Sequence, residues 1–371
     1  MDIFSSIKKP TLLLDEQKTR ANIRRMCQKA AQQGVHFRPH FKTHQSAAIG
    51  EWFREEGVCC ITVSSIDMAL YFARHGWQNI TIAFPVNIRQ IAEICQLAST
   101  IKLGVLVESP ETVQFLAKNI SLPTDLDTWI KVDAGAHRTG LPWQQAEAIL
   151  RLAHEIQSTP GLHLSGLLTH AGNTYGAASP AEVCRRYTES VNRMLELRQK
   201  LAQDGLAGLE VSVGDTPGAS LCDFGPVDEV RPGNFVFYDS KQLQIGSCKW
   251  GDISVALACP VVAKHADRQQ IVIYGGAIHL STESLMVEDR SIYGRVALPD
   301  GESWGEPLSG AAVVSLSQEH GLIKLADKDF NRIQVGDLIC VFPAHSCLTV
   351  QAMREYLTLD GQVIGTMNSE N

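Results

Sequence analysis

The chain has 371 residues and a mass of 40.7 kDa, enough for two domains or for one barrel with an appendix. Apolar residues make up 44% and charged residues 20%, the balance of an ordinary globular protein, which excludes disordered and fibrous classes. Asp and Glu outnumber Lys and Arg by 40 to 33, a net charge of -7; this argues against a general binder of nucleic acid or anionic membrane and leaves room only for a local basic pocket.

No apolar run reaches the ~18 residues needed to span a bilayer. The N-terminal MDIFSSIKKPTLLLDE has one apolar stretch, Leu12 to Leu14, too short for a signal peptide. Residues 16–33 put Ile23, Met26, Cys27, Ala30 and Ala31 on one helical stripe, with Gly34 as its C-terminal cap. Short β-rich runs then alternate with helical patterns: VHFRPH (35–40), VCCITVSS (58–65), NITIAFP (79–85), IKLGVLVE (101–108), TWIKVDAG (128–135), HLSGLLTH (163–170), LEVSVG (209–214) and NFVFYD (234–239). Their apolar character suits parallel strands covered on both faces. Ser109-Pro110-Glu111 opens one connecting helix. Ser179-Pro180-Ala181-Glu182 opens another, running to about residue 204, with an N-cap, a first-turn proline and a capping-box glutamate.

Eight such units predict an α/β fold, a (β/α)8 TIM barrel over residues 11–246. Beyond about residue 250, alternating runs are broken by Gly, Asp and Pro, with no long amphipathic helix. They predict a C-terminal all-β domain over 247–371, joined by residues 1–10. The ten cysteines are scattered without a C-x-x-C. A chain of this size does not need disulfides to hold a core, so the expectation is a reduced, cytoplasmic protein.

A barrel presents its active site at the C-terminal ends of its strands. The first strand runs into Arg38-Pro39-His40-Phe41-Lys42-Thr43-His44, the fifth into Asp133 through Gly140, the sixth into Thr169 through Tyr175, and the seventh into Gly214 through Ala219. Ionisable residues therefore gather at one end. Lys42, flanked by His40 and His44, reads either as a solvated loop lysine or as an amine activated by neighbouring cations and burial, able to form a Schiff base with an aldehyde cofactor. The turn at Gly214, Asp215 and Thr216 is either only a turn or a set of backbone N–H groups facing a phosphate. Pro343-Ala344-His345-Ser346-Cys347 sets an imidazole two residues from a thiol, which reads as a core pair or as two zinc ligands.

The segment Arg38 to His44 resembles the pyridoxal-phosphate lysine motif of the D-threonine aldolase and D-serine dehydratase family, which shares the fold-type III architecture of alanine racemase. Lys131-Val132-Asp133-Ala134-Gly135 through Arg138 and Gly140 is similar to a racemase segment whose arginine lies near the cofactor's phenolic oxygen. Thr169-His170 and Tyr175 match residues beside the cofactor ring, and Val230-Arg231-Pro232-Gly233-Asn234-Phe235-Val236-Phe237-Tyr238-Asp239 matches a strand-eight signature. The resemblance runs in order through the barrel and resumes near residue 345. It implies that Lys42 carries pyridoxal 5'-phosphate, with Arg138, His170, Tyr175, Gly214, Asp215, Thr216, Asn234 and Tyr238 around the cofactor. It implies zinc, or another divalent metal, on His345 and Cys347, because dehydratases of the family carry His-x-Cys there and aldolases His-x-Asp. The continuation Leu348-Thr349-Val350-Gln351-Ala352 departs from the family's Pro-Thr-Val-Asn-Leu.

The implied reaction starts from a D-β-hydroxy amino acid. With D-serine, Lys42 removes the Cα proton and the metal polarises the β-hydroxyl; aminoacrylate then hydrolyses to pyruvate and ammonia. With D-threonine, loss of the hydroxyl proton breaks Cα–Cβ and yields glycine and an aldehyde. The soft Cys347 ligand favours dehydration. An amino-acid racemase would need a second base, for which Tyr274 and Tyr293 are available outside any matched motif. A non-catalytic carrier of the cofactor would lack the β domain. A homodimer follows from the resemblance, with a small D-amino acid as the other partner and no nucleic acid or membrane. Arg231 reads either as the group facing the pyridine nitrogen or as a salt-bridged strand end.

Overall fold

The computed structural model describes residues 3–120 and 125–369. Contacts divide the chain into two compact units that are not consecutive: Arg24–Lys42 with Gly50–Gly233, and Met1–Ile23 with Thr43–Ile49 and Asn234–Asn371.

The first unit holds eight parallel strands: β1 (His36–Phe37), β2 (Ile61–Val63), β3 (Asn79–Pro85), β4 (Lys102–Val107), β5 (Leu126–Asp133), β6 (Leu162–His170), β7 (Glu210–Gly214) and β8 (Glu229–Val230). They follow one another as β1-β8-β7-β6-β5-β4-β3-β2. A parallel bridge between His40 and Thr62 closes the sheet into the predicted barrel. At Gly166 in β6 the backbone has φ 157°, and a Cβ would stand 2.0 Å from the Glu210 carbonyl of β7. Only glycine lets the two strands meet there. The predicted helices are present. Pro180–Gln203 (α1) is capped by Ser179, whose Oγ accepts from the Glu182 N–H at 3.2 Å, and Pro110–Asn119 is capped by Ser109 in the same way.

The eighth strand differs from the prediction. NFVFYD is not a strand: β8 is Glu229–Val230, and Asn234–Val236 is a 3-10 turn in the second unit. Arg231 N–H makes the last ladder bond towards β7, to Val213 O at 2.9 Å, and Pro232, whose carbonyl still accepts from His40 N–H at 2.9 Å, has no N–H to offer. Phe235, Val236 and Phe237 are fully buried together, so this run has no face-to-face alternation to read. The expectation of ten reduced thiols is corrected as well. Cys184 on α1 and Cys222 form a disulfide with Cα atoms 5.4 Å apart. Cys222 caps the C-terminus of the short helix Thr216–Leu221 (α2); these partners are 38 residues apart, and sequence spacing does not reveal such a pairing.

The barrel interior carries a buried ion pair. Arg38 Nε donates to Glu229 Oε2 at 2.5 Å, Ser212 Oγ donates to Glu229 Oε1 at 2.7 Å, and the two charged side chains are 8% and 1% exposed. Removing one charge leaves the other buried without its partner. Glu229→Gln is therefore expected to destabilise the fold by about 3–5 kcal/mol, read as a lowered urea midpoint; a change below about 1 kcal/mol would show that solvent reaches Arg38.

The second unit is mostly β, as predicted. Its large sheet runs Gln270–Tyr274, His320–Lys324, Ala312–Leu316, Gly294–Ala297, Leu338–Pro343, Val255–His265, Thr11–Leu14, Glu355–Thr358, Val363–Gly365. Pairing of Gln270–Tyr274 with Val255–His265 closes most of it into a β barrel. One helix of consequence interrupts the β pattern, Ser346–Met353 (α3), which starts within the His345–Cys347 motif.

Candidate active site

In the barrel unit, Lys42 follows the end of β1, and its N–H donates to His40 Nδ1 at 3.3 Å. Lys42 lies in the electrostatic surroundings of His40 and His170, together with Arg138; Arg231 acts on His40 and Lys131 on His170. Desolvation, and then the Lys42 charge, hold both imidazoles well below their ordinary pKa, so both are neutral near pH 7. Burial, then Arg231 and Arg138, lowers the Lys131 amine to about 7. Four basic side chains, Lys42, Lys131, Arg138 and Arg231, thus lie about the two histidines, with Asp133, Asp215 and Glu229 among them; Lys42 and Arg138 are the two cations that could meet an anion.

Local chemistry builds the loops. Asp133 Oδ1 accepts from the N–H groups of Gly135, Ala136 and His137 at 2.9, 2.9 and 3.1 Å, and these bonds lower its pKa against the opposing effect of burial. This turn carries Arg138. Arg193 braces it by donating to Ala134 O at 2.8 Å. His170 Nδ1 meets Gly214 O at 2.5 Å, which assigns the ring proton to Nδ1, since a carbonyl only accepts. Tyr175 lies with its ring centroid 6.0 Å from that of His170, and its hydroxyl accepts from Thr216 N–H at 3.3 Å.

Asp215 caps α2, accepting from Gly218 N–H at 2.6 Å and from Thr174 Oγ1 at 2.8 Å. Burial raises its pKa to about 6. Thr216 Oγ1 is buried with no partner, and such a group is normally satisfied. Lys42, Arg138, His170, Tyr175, Gly214, Asp215 and Thr216 all belong to this unit. Arg231 was open to two readings; it is fully engaged, donating to Ser212 Oγ at 2.6 Å and to Thr169 O at 2.5 Å, with Glu229 at 3.9 Å.

Asn234, Tyr238, His345 and Cys347 belong to the other unit. There Asn234 Nδ2 donates to Ser346 Oγ and Asp239 Oδ2, both at 2.8 Å, and lies 3.7 Å from Cys347 Sγ. Thr43 Oγ1 is 3.2 Å from the same sulfur. His345 and Cys347 are hydrogen-bonded to each other, and Cys347, followed by Asp239, raises the imidazole to about 11. An imidazole beside a thiol at the start of α3 is a borderline-soft donor pair that fits zinc. Asn234 Oδ1, buried and unpartnered, adds a polar acceptor next to it. Among the described residues no group of three or more His, Cys, Asp and Glu could hold a metal, so a metal here would draw its remaining ligands from water or substrate. Tyr238 has φ 53°, a conformation costly for a bulky residue. The residues that sequence reasoning left without a role are Lys131, Thr43 and Asp239, although each lies inside a segment that carried the resemblance.

Residues 14–241 match the family of the alanine racemase N-terminal domain, and residues 254–359 match a serine dehydratase domain family. The chain is 26% identical to a D-serine dehydratase from Dictyostelium discoideum over 98% of its own length and 97% of that enzyme. It is 27% identical to the D-threo-3-hydroxyaspartate dehydratase of Delftia sp. HT23, whose structure superposes with a TM-score of 0.90 over 99% of both chains. A cysteine-to-alanine mutant of that enzyme is known in a metal-free form. A D-threonine aldolase from Arthrobacter sp is 25% identical over 93% of this chain and 87% of its own.

Proposed function

The chain belongs to the alanine racemase N-terminal-domain family, in the branch of D-serine dehydratases, D-threonine aldolases and 3-hydroxyaspartate dehydratases, all lyases; from that membership we propose that it uses pyridoxal phosphate to dehydrate D-serine to pyruvate and ammonia with help from zinc. The observation that carries the cofactor reading is the placement of Lys42, next to His40 Nδ1 at 3.3 Å, in one unit with Arg138, His170, Tyr175 and the buried, unpartnered Thr216 Oγ1. When bound, pyridoxal phosphate supplies an electron sink for a carbanion at Cα. Lys42 would hold the cofactor and would be the base that takes the Cα proton. Arg138 and His170 would line the cofactor, and Tyr175 and Thr216 would hold its phosphate. His345 and Cys347 hold a metal whose chemistry is to polarise the β-hydroxyl. Homodimerisation, implied by the family, completes the proposal.

The substrate is settled by products. Purified protein is expected to release pyruvate from D-serine, to stop on chelation and to recover with zinc. Glycine and acetaldehyde from D-threonine would make it an aldolase. A second reading is favoured by the Delftia relative: oxaloacetate and ammonia from D-threo-3-hydroxyaspartate, faster than pyruvate from D-serine, would move the substrate to a β-hydroxy dicarboxylate.

The buried hydroxyl of Thr216 tests the phosphate site separately. Thr216→Val keeps the shape and removes the unpartnered oxygen. Without cofactor the variant should be more stable by about 1 kcal/mol. Its affinity for pyridoxal phosphate should fall roughly tenfold or more, because one bond to a charged group is lost. Unchanged affinity in a dialysis titration would remove Thr216 from the site.

A further inference from the structure

The reaction as proposed gives Asp239 no part, yet five hydrogen bonds converge on its fully buried carboxylate. Oδ1 accepts from Gln242 N–H at 2.9 Å and so caps the helix Ser240–Ile245. Oδ2 accepts from Asn234 Nδ2 at 2.8 Å, from Ser346 N–H at 3.1 Å, from Ser346 Oγ at 3.5 Å and from His345 Nδ1 at 3.2 Å. A helix cap needs one oxygen; the second serves the stretch that carries His345 and Cys347. The left-handed backbone at Tyr238, φ 53°, immediately precedes it, a local strain that the surroundings must hold in place.

We propose that Asp239 is a positioning residue for the metal: its Oδ2 accepts the Nδ1–H of His345, fixing the ring in the tautomer and orientation that present Nε2 to the ion. The inference rests on the reading of His345 and Cys347 as metal ligands. An imidazole has two nitrogens, and the hydrogen bond made by one decides which is left for a metal. Carboxylate partners of ligating histidines work in this way, and their loss costs ~10- to 100-fold in metal affinity. The same oxygen also accepts from the N–H of Ser346, between the two ligands, a contact that a merely structural carboxylate would make as well.

The test is a zinc titration of the cofactor-loaded protein against a competing chelator. Asp239→Asn is expected to weaken zinc binding ~10- to 100-fold while pyridoxal phosphate content stays at the parent level. In a His345→Ala background the same substitution should change zinc affinity less than about twofold, because the ring through which it acts is gone. Equal further loss in that background would show a purely structural carboxylate and overturn the proposal. Parent-like zinc affinity of folded Asp239→Asn would overturn it too. Failure of the parent protein to bind zinc would instead overturn the ligand reading and this inference with it. Should Asp239→Asn not fold, the parent protein still decides. In zinc-loaded protein labelled with 15N-histidine, the signal that disappears in His345→Ala must belong to a ring protonated at Nδ1 and bound to the ion through Nε2; a ring protonated at Nε2 would overturn the proposal.

Discussion

Lys42→Ala is expected to reduce turnover about 10⁴-fold or more, with no cofactor covalently trapped by borohydride and a melting temperature near that of the parent. The size follows from the two duties given to one amine, covalent attachment of the cofactor and removal of the Cα proton, the second alone being worth ~10²–10⁴. Stability should change little, because Lys42 is half-buried, in a turn after β1. The barrel offers a competing amine. Lys131 is 5% exposed and its pKa is lowered to about 7, so near neutral pH a large fraction is uncharged and nucleophilic. Its Nζ, however, is 3.1 Å from the carbonyl of Val132, the next residue on β5, and it lies within the strand rather than at the strand's end. Position therefore favours Lys42 where nucleophilicity alone would not. Lys131→Met should keep the borohydride-trapped cofactor, whatever it does to rate. Trapped cofactor in Lys42→Ala, lost in Lys131→Met, would reverse the assignment.

The barrel was legible because parallel strands covered on both faces leave unbroken apolar runs such as IKLGVLVE, and because Ser109 and Ser179 announce their helices through caps that need nothing but local chain. The gathering of Lys42, Arg138 and His170 was legible for a topological reason: a barrel brings every strand's C-terminal end to one rim. What escaped has a common cause in long-range contact. Phe235, Val236 and Phe237 are apolar whether they form a strand or a buried turn, and the Pro232-Gly233 pair before them was the local sign of a turn. Cys184 and Cys222 meet only once α1 and α2 are packed. The interior charge network of Arg38, Glu229 and Arg231 joins residues up to 193 positions apart in sequence, and no spacing rule reaches that far. Asp239 was visible as part of a signature, but its bond to His345 spans 106 residues.

Cys347→Ser should weaken zinc binding by about 100-fold or more and lower D-serine turnover by about 10²–10³-fold, without recovery at moderate zinc. Serine matches cysteine in shape, so the substitution isolates the sulfur. Thiolate is a soft, anionic ligand well suited to zinc, whereas a serine hydroxyl near neutral pH is a neutral and weak one. The surroundings are arranged for a thiolate: Thr43 Oγ1 lies at 3.2 Å and Asn234 Nδ2 at 3.7 Å, each able to donate to the sulfur. Cys347 also sits in the first turn of α3, where the helix end favours negative charge. All of these donors would also tolerate a serine oxygen, so Cys347→Ser should fold, and its melting temperature without metal should remain close to the parent value. The rate effect follows from the leaving group. Hydroxide leaves Cβ poorly unless its developing charge is met, and removing one such electrostatic contribution costs ~10²–10³ in rate. If hydroxyl departure limits dehydration, then zinc in large excess should restore part of the pyruvate release by mass action. Full zinc-restorable turnover at parent zinc concentrations would show that His345 acts without Cys347, and the choice of dehydration over aldol cleavage would lose the residue on which it stands.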